Sequence, residues 1–535
     1  MLDKAEHKEL NWVIVWAVVI VLLSSVPYLW GVFITPPGYT FTGLTHNIDD
    51  GAVYLSWMRQ AADGHFFQRN LFTSDLQPAR QFNVFFLVMG WCAAITHLPL
   101  FAVYHLFRIV SGIVLILGIW QFSRLFLTNE RQRKLLVLLV GFSSGFGWLI
   151  PAAKAPTGSV DLWQPEAITF LSVYLNPLFL IGLLLMIGSL YWLELSRREA
   201  SVKYAIYAGL HLLALGNVHT YDVLTVACVW TVYIIALWIQ SKAFPTKIVL
   251  LSLLTAVVAT PSVAYQFWVY ALDPIYRARA NTPIHSPPVI SFILGYGLVL
   301  FGAIAGAILW KKQKINKPPA AWLLFSWGIV GFVIPYIPIA QQRKLVMGLH
   351  IPLCILCAYA LSYLASRVPA RLGRIALAAF LILAAPTNIK FLATDMILLT
   401  EGKTVTHYAP DLSKSQLAAM DYLRAKATPG DTIFAPPVFA LFVPAYTGAH
   451  VYYGHWSETP DYSDKLASWA ALSDFTISDY CWIDIINEAI PRGYYVSESA
   501  EFDPRPALSK RFIKCFESGE VRIYRYVGEG ASTNK

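Results

Sequence analysis

Apolar runs long enough to cross about 30 Å of hydrocarbon recur from residue 12 to about residue 399. Hydrocarbon offers the backbone no hydrogen-bond partner, so such runs are confined to helices that satisfy their own N–H and C=O groups. With 56% hydrophobic and 14% charged residues and a mean hydropathy of +0.52, a water-soluble fold of this length would lack the polar surface to cover itself. The chain therefore reads as a polytopic α-helical membrane protein. After about residue 400 the pattern becomes mixed and polar, which divides the chain into a membrane body, 1–400, and a small soluble α/β domain, 401–535. The first run, 12–33, follows Lys4, His7 and Lys8 and is too long for a signal-peptide core, so an uncleaved anchor is expected.

Candidate spans centre on 12–34, 101–123, 135–153, 168–195, 204–218, 219–240, 247–268, 288–310, 320–340, 345–365 and 375–398, about eleven in all. A further stretch, 82–98, is only as long as the minimum span and is followed at once by Pro99. The basic residues decide how to treat it. If 82–98 does not cross, Lys4/Lys8, Arg124/Arg131/Arg133/Lys134, Arg197/Arg198/Lys203, Lys242/Lys247, Lys311/Lys312/Lys314/Lys317 and Arg367/Arg371/Arg374 all fall on the cytoplasmic side. If it crosses, every cluster after the first moves outside, against the positive-inside bias. We therefore read 82–98 as a juxtamembrane or re-entrant helix, with the N-terminus cytoplasmic. The outer face then receives the large first loop, 35–100, the loops at 154–167 and 269–287, Gln341-Gln342-Arg343-Lys344 and the C-terminal domain. A multi-pass protein of the bacterial inner membrane is expected.

The net charge of +9 is spread over short loops rather than one soluble face, so it serves topology and not nucleic acid. Cys92, Cys228, Cys354 and Cys357 lie in apolar spans and read as small core residues; Cys354 and Cys357 sit mid-helix without histidine or acidic neighbours that would complete a metal site. Cys481 and Cys515 fall in the soluble domain, where a disulfide would be compatible with an oxidising compartment.

Polar and ionisable residues collect on the expected outer face. Asp49 and Asp50 stand just before or at the first turn of a helix whose apolar positions Val53, Trp57 and Ala61 recur every fourth residue. One aspartate suffices as a cap, and Asp50 is the better placed; Asp49 is then the candidate general base. The loop between the paired spans at 204–240 carries His219 and Asp222, three apart on a helix face, which fit either a structural pair or a site wall. Asp273 to Arg279 contains Tyr276 and Arg277, and Arg343-Lys344 break two apolar spans against the positive-inside trend. An arginine fork and a lysine at the interface suit a lipid phosphate or pyrophosphate, though snorkelling to phospholipid headgroups would also place them there. Acidic and basic groups on one lipid-facing side point to sugar transfer from a lipid-phosphate donor. A carboxylate would deprotonate an acceptor hydroxyl as it displaces the phosphate, inverting the anomeric carbon.

This arrangement resembles the GT-C class of integral membrane glycosyltransferases, such as protein mannosyltransferases, aminoarabinose transferases and the catalytic subunit of oligosaccharyltransferase. It matches over essentially the whole chain: one span, a large external loop opening with Asp49-Asp50, many further spans and an external C-terminal domain. The resemblance implies a polyprenyl-phosphate sugar donor, a catalytic aspartate in the first external loop and an amphipathic juxtamembrane helix such as 82–98. It also implies a second acidic site in the next external loop, at Asp161 or Glu166, able to hold a divalent cation such as Mg or Mn. The sequence departs from the class in two ways. It has no Trp-Trp-Asp motif of the oligosaccharyltransferase kind, so transfer to asparagine is unsupported, and it has no Asp-x-Asp.

In the soluble domain, Ser413-Lys414-Ser415-Gln416 reads as a capping box opening a helix to about Lys426. Strands are expected at 432–435 and 450–453, with a hairpin over 511–526 turning at Glu517-Ser518-Gly519-Glu520. His455 and Trp456 lie in a segment rich in groups able to stack on and hydrogen-bond a sugar, or else in a buried turn holding the domain in place. No nucleotide-binding glycine loop appears, which argues against a nucleotide-sugar donor or an ATP-driven pump. The leading expectation is a glycosyltransferase whose partners are a polyprenyl-phosphate sugar, membrane lipids and a glycan, lipid or protein acceptor. The rivals are a transporter or flippase of lipid-linked sugars and a non-catalytic envelope assembly protein; a transporter would spread polar residues through both leaflets.

Overall fold

The computed structural model describes residues 4–75, 77–151, 158–312, 320–474, 476–499 and 502–528; Lys314 and Lys317 of the expected basic clusters lie outside them. Among the described residues eight helices are long and apolar enough to cross a membrane: Lys4–Ile34, Leu100–Ser123, Pro177–Glu199, Tyr221–Ser241, Thr246–Leu272, Val289–Lys312, Gln342–Ala365 and Ala370–Thr400. The chain is an integral membrane protein.

Several expected spans are shorter or broken, each for a local reason. The run at 135–153 is α-helical only over Glu130–Phe142. Beyond it, the N–H groups of Gly145 and Gly147 turn to the Asp161 carboxylate at 2.8 and 3.3 Å. The run at 168–195 breaks at Asn176, whose side chain caps Leu178 N–H at 2.9 Å while Pro177 takes the first helical position. Pro386 likewise begins a new helix, Pro386–Thr400, behind Ala370–Ala384. Inside Val289–Lys312, Gly297 adopts φ +45° and kinks the helix where it meets the Gly145 backbone. Val84–Thr96, at 13 residues, is about 20 Å long, too short to cross alone. Asn83 opens it by accepting from Phe85 and Phe86 N–H, and His97, left-handed at φ 57°, ends it before Pro99.

The chain divides into two compact units. The first comprises Met1–Val26, His105–Tyr270 and Ala280–Thr394. Within it Val289–Lys312 packs closely on His350–Ala365. His350 bridges Ser143 Oγ, 3.2 Å from Nε2, and Thr169 Oγ1, 3.1 Å from Nδ1. It also corrects the expectation that Cys354 lacks a histidine neighbour: one helical turn earlier, its Nε2 lies 3.4 Å from Cys354 Sγ.

The second unit comprises Pro27–Tyr104, Ala271–Arg279 and Asp395–Lys535. Strand β1 (Tyr39–Phe41), in the first loop, pairs antiparallel with β2 (Asp411–Ser413). The expected capping box follows, with Ser413 and Gln416 satisfying each other's backbone N–H groups. A five-stranded sheet has the order β4-β3-β5-β7-β6, with β3 Thr432–Phe434, β4 His450–Val451, β5 Gly493–Ser497, β6 Phe512–Ser518 and β7 Val521–Tyr526. Strands β3 and β4 run parallel, joined by the crossover helix Pro437–Thr447. That helix is apolar throughout and packs on helix Ile48–Ala62. On Ile48–Ala62 also rests Val84–Thr96, with Gly90 against Ala61 and the Met58 carbonyl. Cys481 and Cys515 carry free thiols.

Candidate functional site

Helix Ile48–Ala62 starts behind Asn47, the N-cap position, whose side chain makes no capping bond. Neither Asp49 nor Asp50 is the cap, contrary to the expectation for Asp50: both stand in the first turn, where unpaired N–H groups and the positive end of the helix dipole favour carboxylates. Asp50 instead accepts from Asn47 Nδ2 at 3.2 Å. Adjacent helical positions diverge by about 100°, so the two carboxylates differ in surroundings. The Asp49 side chain is 12% exposed and that of Asp50 43%.

The second half of the cluster comes from the segment after β4, at the carboxyl end of the parallel strands, the usual place for a site in an open sheet with crossover helices. The indole N–H of Trp456 donates to Asp49 Oδ2 at 3.1 Å. His455 Nε2 lies 3.5 Å from Asp50 Oδ1 and 3.9 Å from Asp49 Oδ2. The backbone N–H groups of Ser457 and Glu458 donate to His455 Nδ1 at 3.2 and 3.3 Å. In the neutral ring the proton therefore sits on Nε2, facing the carboxylates. His455 is buried and stacks on Trp456, a residue that is 46% exposed. The cluster thus offers an open aromatic face beside a carboxylate.

Burial raises the Asp49 carboxyl above the ordinary aspartate value and the charge of Asp50 raises it further, against the opposing effect of His455. Burial alone would lower His455, but its close approach to the Asp50 carboxylate and the charges of Asp50, Asp49 and Glu458 hold it above the ordinary imidazole value. The charge states of Asp49 and His455 are therefore coupled to each other and to the Asp50 charge.

Two residues tied to this cluster were not singled out from the sequence. Glu458, buried, takes an ion pair from Arg279 Nε at 2.7 Å, and the Arg279 guanidinium lies 5.2 Å over the Trp57 ring. Arg277, the expected phosphate ligand, instead returns to the Ala271 carbonyl. On helix Pro274–Asn281 two residues span about 200°, so only one of the two arginines can face the Glu458 segment. Tyr276 is buried, its hydroxyl 3.5 Å from the Gln68 carbonyl. A further buried pair, His46 Nδ1 and Asp395 Oδ1 at 3.0 Å, anchors the segment just before Asn47.

The remaining expected residues belong to the first unit. His219 Nδ1 and Asp222 Oδ2 pair at 3.0 Å, both buried, between the rings of Phe179 and Tyr221. Arg343 stacks 5.1 Å over Trp163, and Lys344 lies 5.1 Å over Tyr221. Asp161, expected to share a cation site with Glu166, is engaged within its own loop. The Asp161 oxygens are taken by Gly145, Gly147 and Ser159, and among the described residues no group of three or more His, Cys, Asp or Glu could hold a metal.

No protein-family model matches the chain, and no curated protein matches it by sequence. Its fold is similar to that of the oligosaccharyltransferase of Archaeoglobus fulgidus in the apo form, with a TM-score of 0.55 at 11% identity over 90% of this chain and 69% of that one. It is likewise similar to ArnT from Cupriavidus metallidurans bound to undecaprenyl phosphate, with a TM-score of 0.53 at 14% identity over 96% of this chain and 98% of that one. The fold is the one these GT-C glycosyltransferases share, as the arrangement of residues implied.

Proposed function

We propose that this protein is a membrane glycosyltransferase that moves a sugar from a polyprenyl-phosphate donor to an acceptor hydroxyl on the outer face, with inversion, and that Asp49 is the general base. The observation that carries this reading is the Asp49–Trp456 contact: a buried carboxylate of raised pKa, hydrogen-bonded to an indole whose ring is open for a sugar to stack on. The Asp49 carboxylate takes the acceptor proton as the acceptor oxygen bonds to the anomeric carbon. The bond from that carbon to the lipid phosphate breaks, and its electron pair leaves on the phosphate. Asp50 and His455 orient Asp49 and set its charge, while Arg279 and Glu458 fix the segment that carries His455 and Trp456.

Arg343, Lys344 and Arg277 are our candidates for the donor phosphate, and His219, Asp222 and Tyr276 for supporting positions. The fold shared with ArnT, which was crystallised with undecaprenyl phosphate, supports a lipid-linked donor. The acceptor is a glycan, a lipid or a protein.

The test is sugar transfer from a polyprenyl-phosphate sugar in membranes carrying Asp49→Asn or Asp50→Asn. Loss of the base is expected to slow transfer by about 100-fold or more in Asp49→Asn, with a smaller loss, about tenfold, in Asp50→Asn. Full activity in both variants would sink the assignment.

A further inference from the structure

At the far end of helix Ile48–Ala62, about 15 Å from Asp50 by helical rise, lies a cavity of about 300 Å³, formed wholly within the second unit. Gln60, His65, Phe67, Arg69, Thr428 and His450 contribute to its wall, and none of its lining residues is acidic. Nothing in the proposed transfer reaction uses it.

The charges around it do not balance. Arg59 and Arg424 share one carboxylate, that of Asp63, at 3.5 and 3.4 Å. Burial, and after it the charge of Arg424, hold the Arg59 guanidinium below its ordinary value. The neighbouring Asp431 offers no relief, since it is taken by Arg492 at 3.2 Å and Arg525 at 2.9 Å. The Arg69 backbone exchanges two hydrogen bonds with the Gln60 side chain. Its guanidinium has no ion pair or hydrogen bond among the described residues, and it lies on the cavity wall.

The other polar groups narrow the ligand. His450 directs Nδ1 to the Thr73 carbonyl at 3.1 Å, so that nitrogen carries the proton and Nε2 is an acceptor. Burial and the charge of Arg69 both lower this imidazole, with only the Thr73 hydrogen bond opposing, so it stays neutral. The Phe67 ring, 44% exposed, adds an apolar face. An unpaired planar guanidinium calls for a carboxylate or phosphate, an imidazole acceptor for a hydroxyl, and an aromatic face for the C–H side of a sugar ring. The volume, at the lower end for small-molecule pockets, suits one sugar ring.

We propose that this cavity binds an acidic sugar, a single ring bearing a carboxylate or a phosphate, with Arg69 holding the anionic group and His450 Nε2 accepting from a ring hydroxyl. The site stands apart from the transfer centre and does not depend on it.

The test is calorimetric titration of the full-length protein in nanodiscs with methyl β-glucuronide, glucose 6-phosphate and methyl β-glucoside. At least one of the two anionic sugars is expected to bind saturably, about tenfold or more tightly than the neutral glucoside, and which one does so identifies the anionic group. Arg69→Gln, a change at an exposed side chain without partners, is expected to reduce binding of the acidic sugar to the level of the glucoside. Arg69→Lys is expected to retain part of the preference, and Asp49→Asn all of it. Equal binding of the neutral sugar, no saturable binding of either anionic sugar, unchanged binding in Arg69→Gln or its loss in Asp49→Asn would each overturn the proposal.

Discussion

Asp49 gains basicity from two sources that act together, burial and the neighbouring Asp50 charge. A base works only when ionised, so transfer should fall as the pH drops through the Asp49 value, and that fall should begin above the ordinary aspartate range of about 3.9. Removing the Asp50 charge takes away one of the two upward pushes. The acid limb of kcat/KM for the residual activity of Asp50→Asn should therefore lie at lower pH than that of the wild type. An unmoved limb in a pH-rate profile would mean that Asp50 does not tune Asp49. The aspartates themselves were legible because two adjacent carboxylates open an amphipathic helix in a loop. Their partners were only half legible: the sequence marks His455 and Trp456 as sugar-binding types, but nothing local says that they meet Asp49. Arg279 was hidden behind Arg277 for a geometric reason, since the facing of a short helix cannot be read from an Arg-Ala-Arg triplet alone.

Helix Ile48–Ala62 holds the cluster only as firmly as its neighbours hold it. At Gly90 a Cβ would stand 2.4 Å from Ala61 Cβ and 2.5 Å from the Met58 carbonyl, so any side chain there drives Val84–Thr96 away from helix Ile48–Ala62. Gly90→Ala is expected to destabilise the protein by about 1–3 kcal/mol, read as a lowered thermal midpoint in detergent; an unchanged midpoint would show that the two helices can separate without cost. A second element-scale clamp is Asp431, which closes the turn before β3 by accepting from Thr428 and pairs with Arg492 and with Arg525 of β7. Burial raises its carboxyl, but the Arg525 and Thr428 hydrogen bonds outweigh this and hold it below the ordinary value. Its contribution is therefore complete above about pH 3.9 and is lost as pH falls through the lower folded value. Asp431→Asn should cost about 1–3 kcal/mol at neutral pH, and the gap to wild type should close in acid. Chemical unfolding at both pH values checks this, and a gap that persists in acid would place the effect elsewhere. Elements with local signals were legible, as with the Ser413 capping box and the hairpin ending in β7. Breaks set by distant partners were not: apolar continuity through 168–195 concealed the cap that Asn176 supplies, and the end of Glu130–Phe142 depends on the remote Asp161.

For the molecule as a whole, hydropathy revealed a membrane protein, and the order of spans, acidic loop and outer domain resembled the GT-C class, but neither showed how the second unit is threaded. β1 pairs with β2 more than three hundred and sixty residues away in the chain, and a three-residue strand carries no signal of so distant a partner. The basic clusters fared differently, because their partners confirm a shared end within the first unit. Arg124 meets Glu6, Arg133 meets Glu9 at 2.5 Å, and Arg198 reaches the Leu125 carbonyl at 3.0 Å. Three clusters expected on one face are thus joined there, which is what the positive-inside rule requires if that face is cytoplasmic. The orientation follows as an expectation that labelling can test. In a Cys481→Ser background, which removes the exposed native thiol, Ser74→Cys should react with a membrane-impermeant maleimide in intact cells. Thr128→Cys, next to the Arg124 cluster, should react only after permeabilisation. The reverse pattern would turn the protein over and put Asp49 and Asp50 on the cytoplasmic face, removing the outer-face transfer proposed for them.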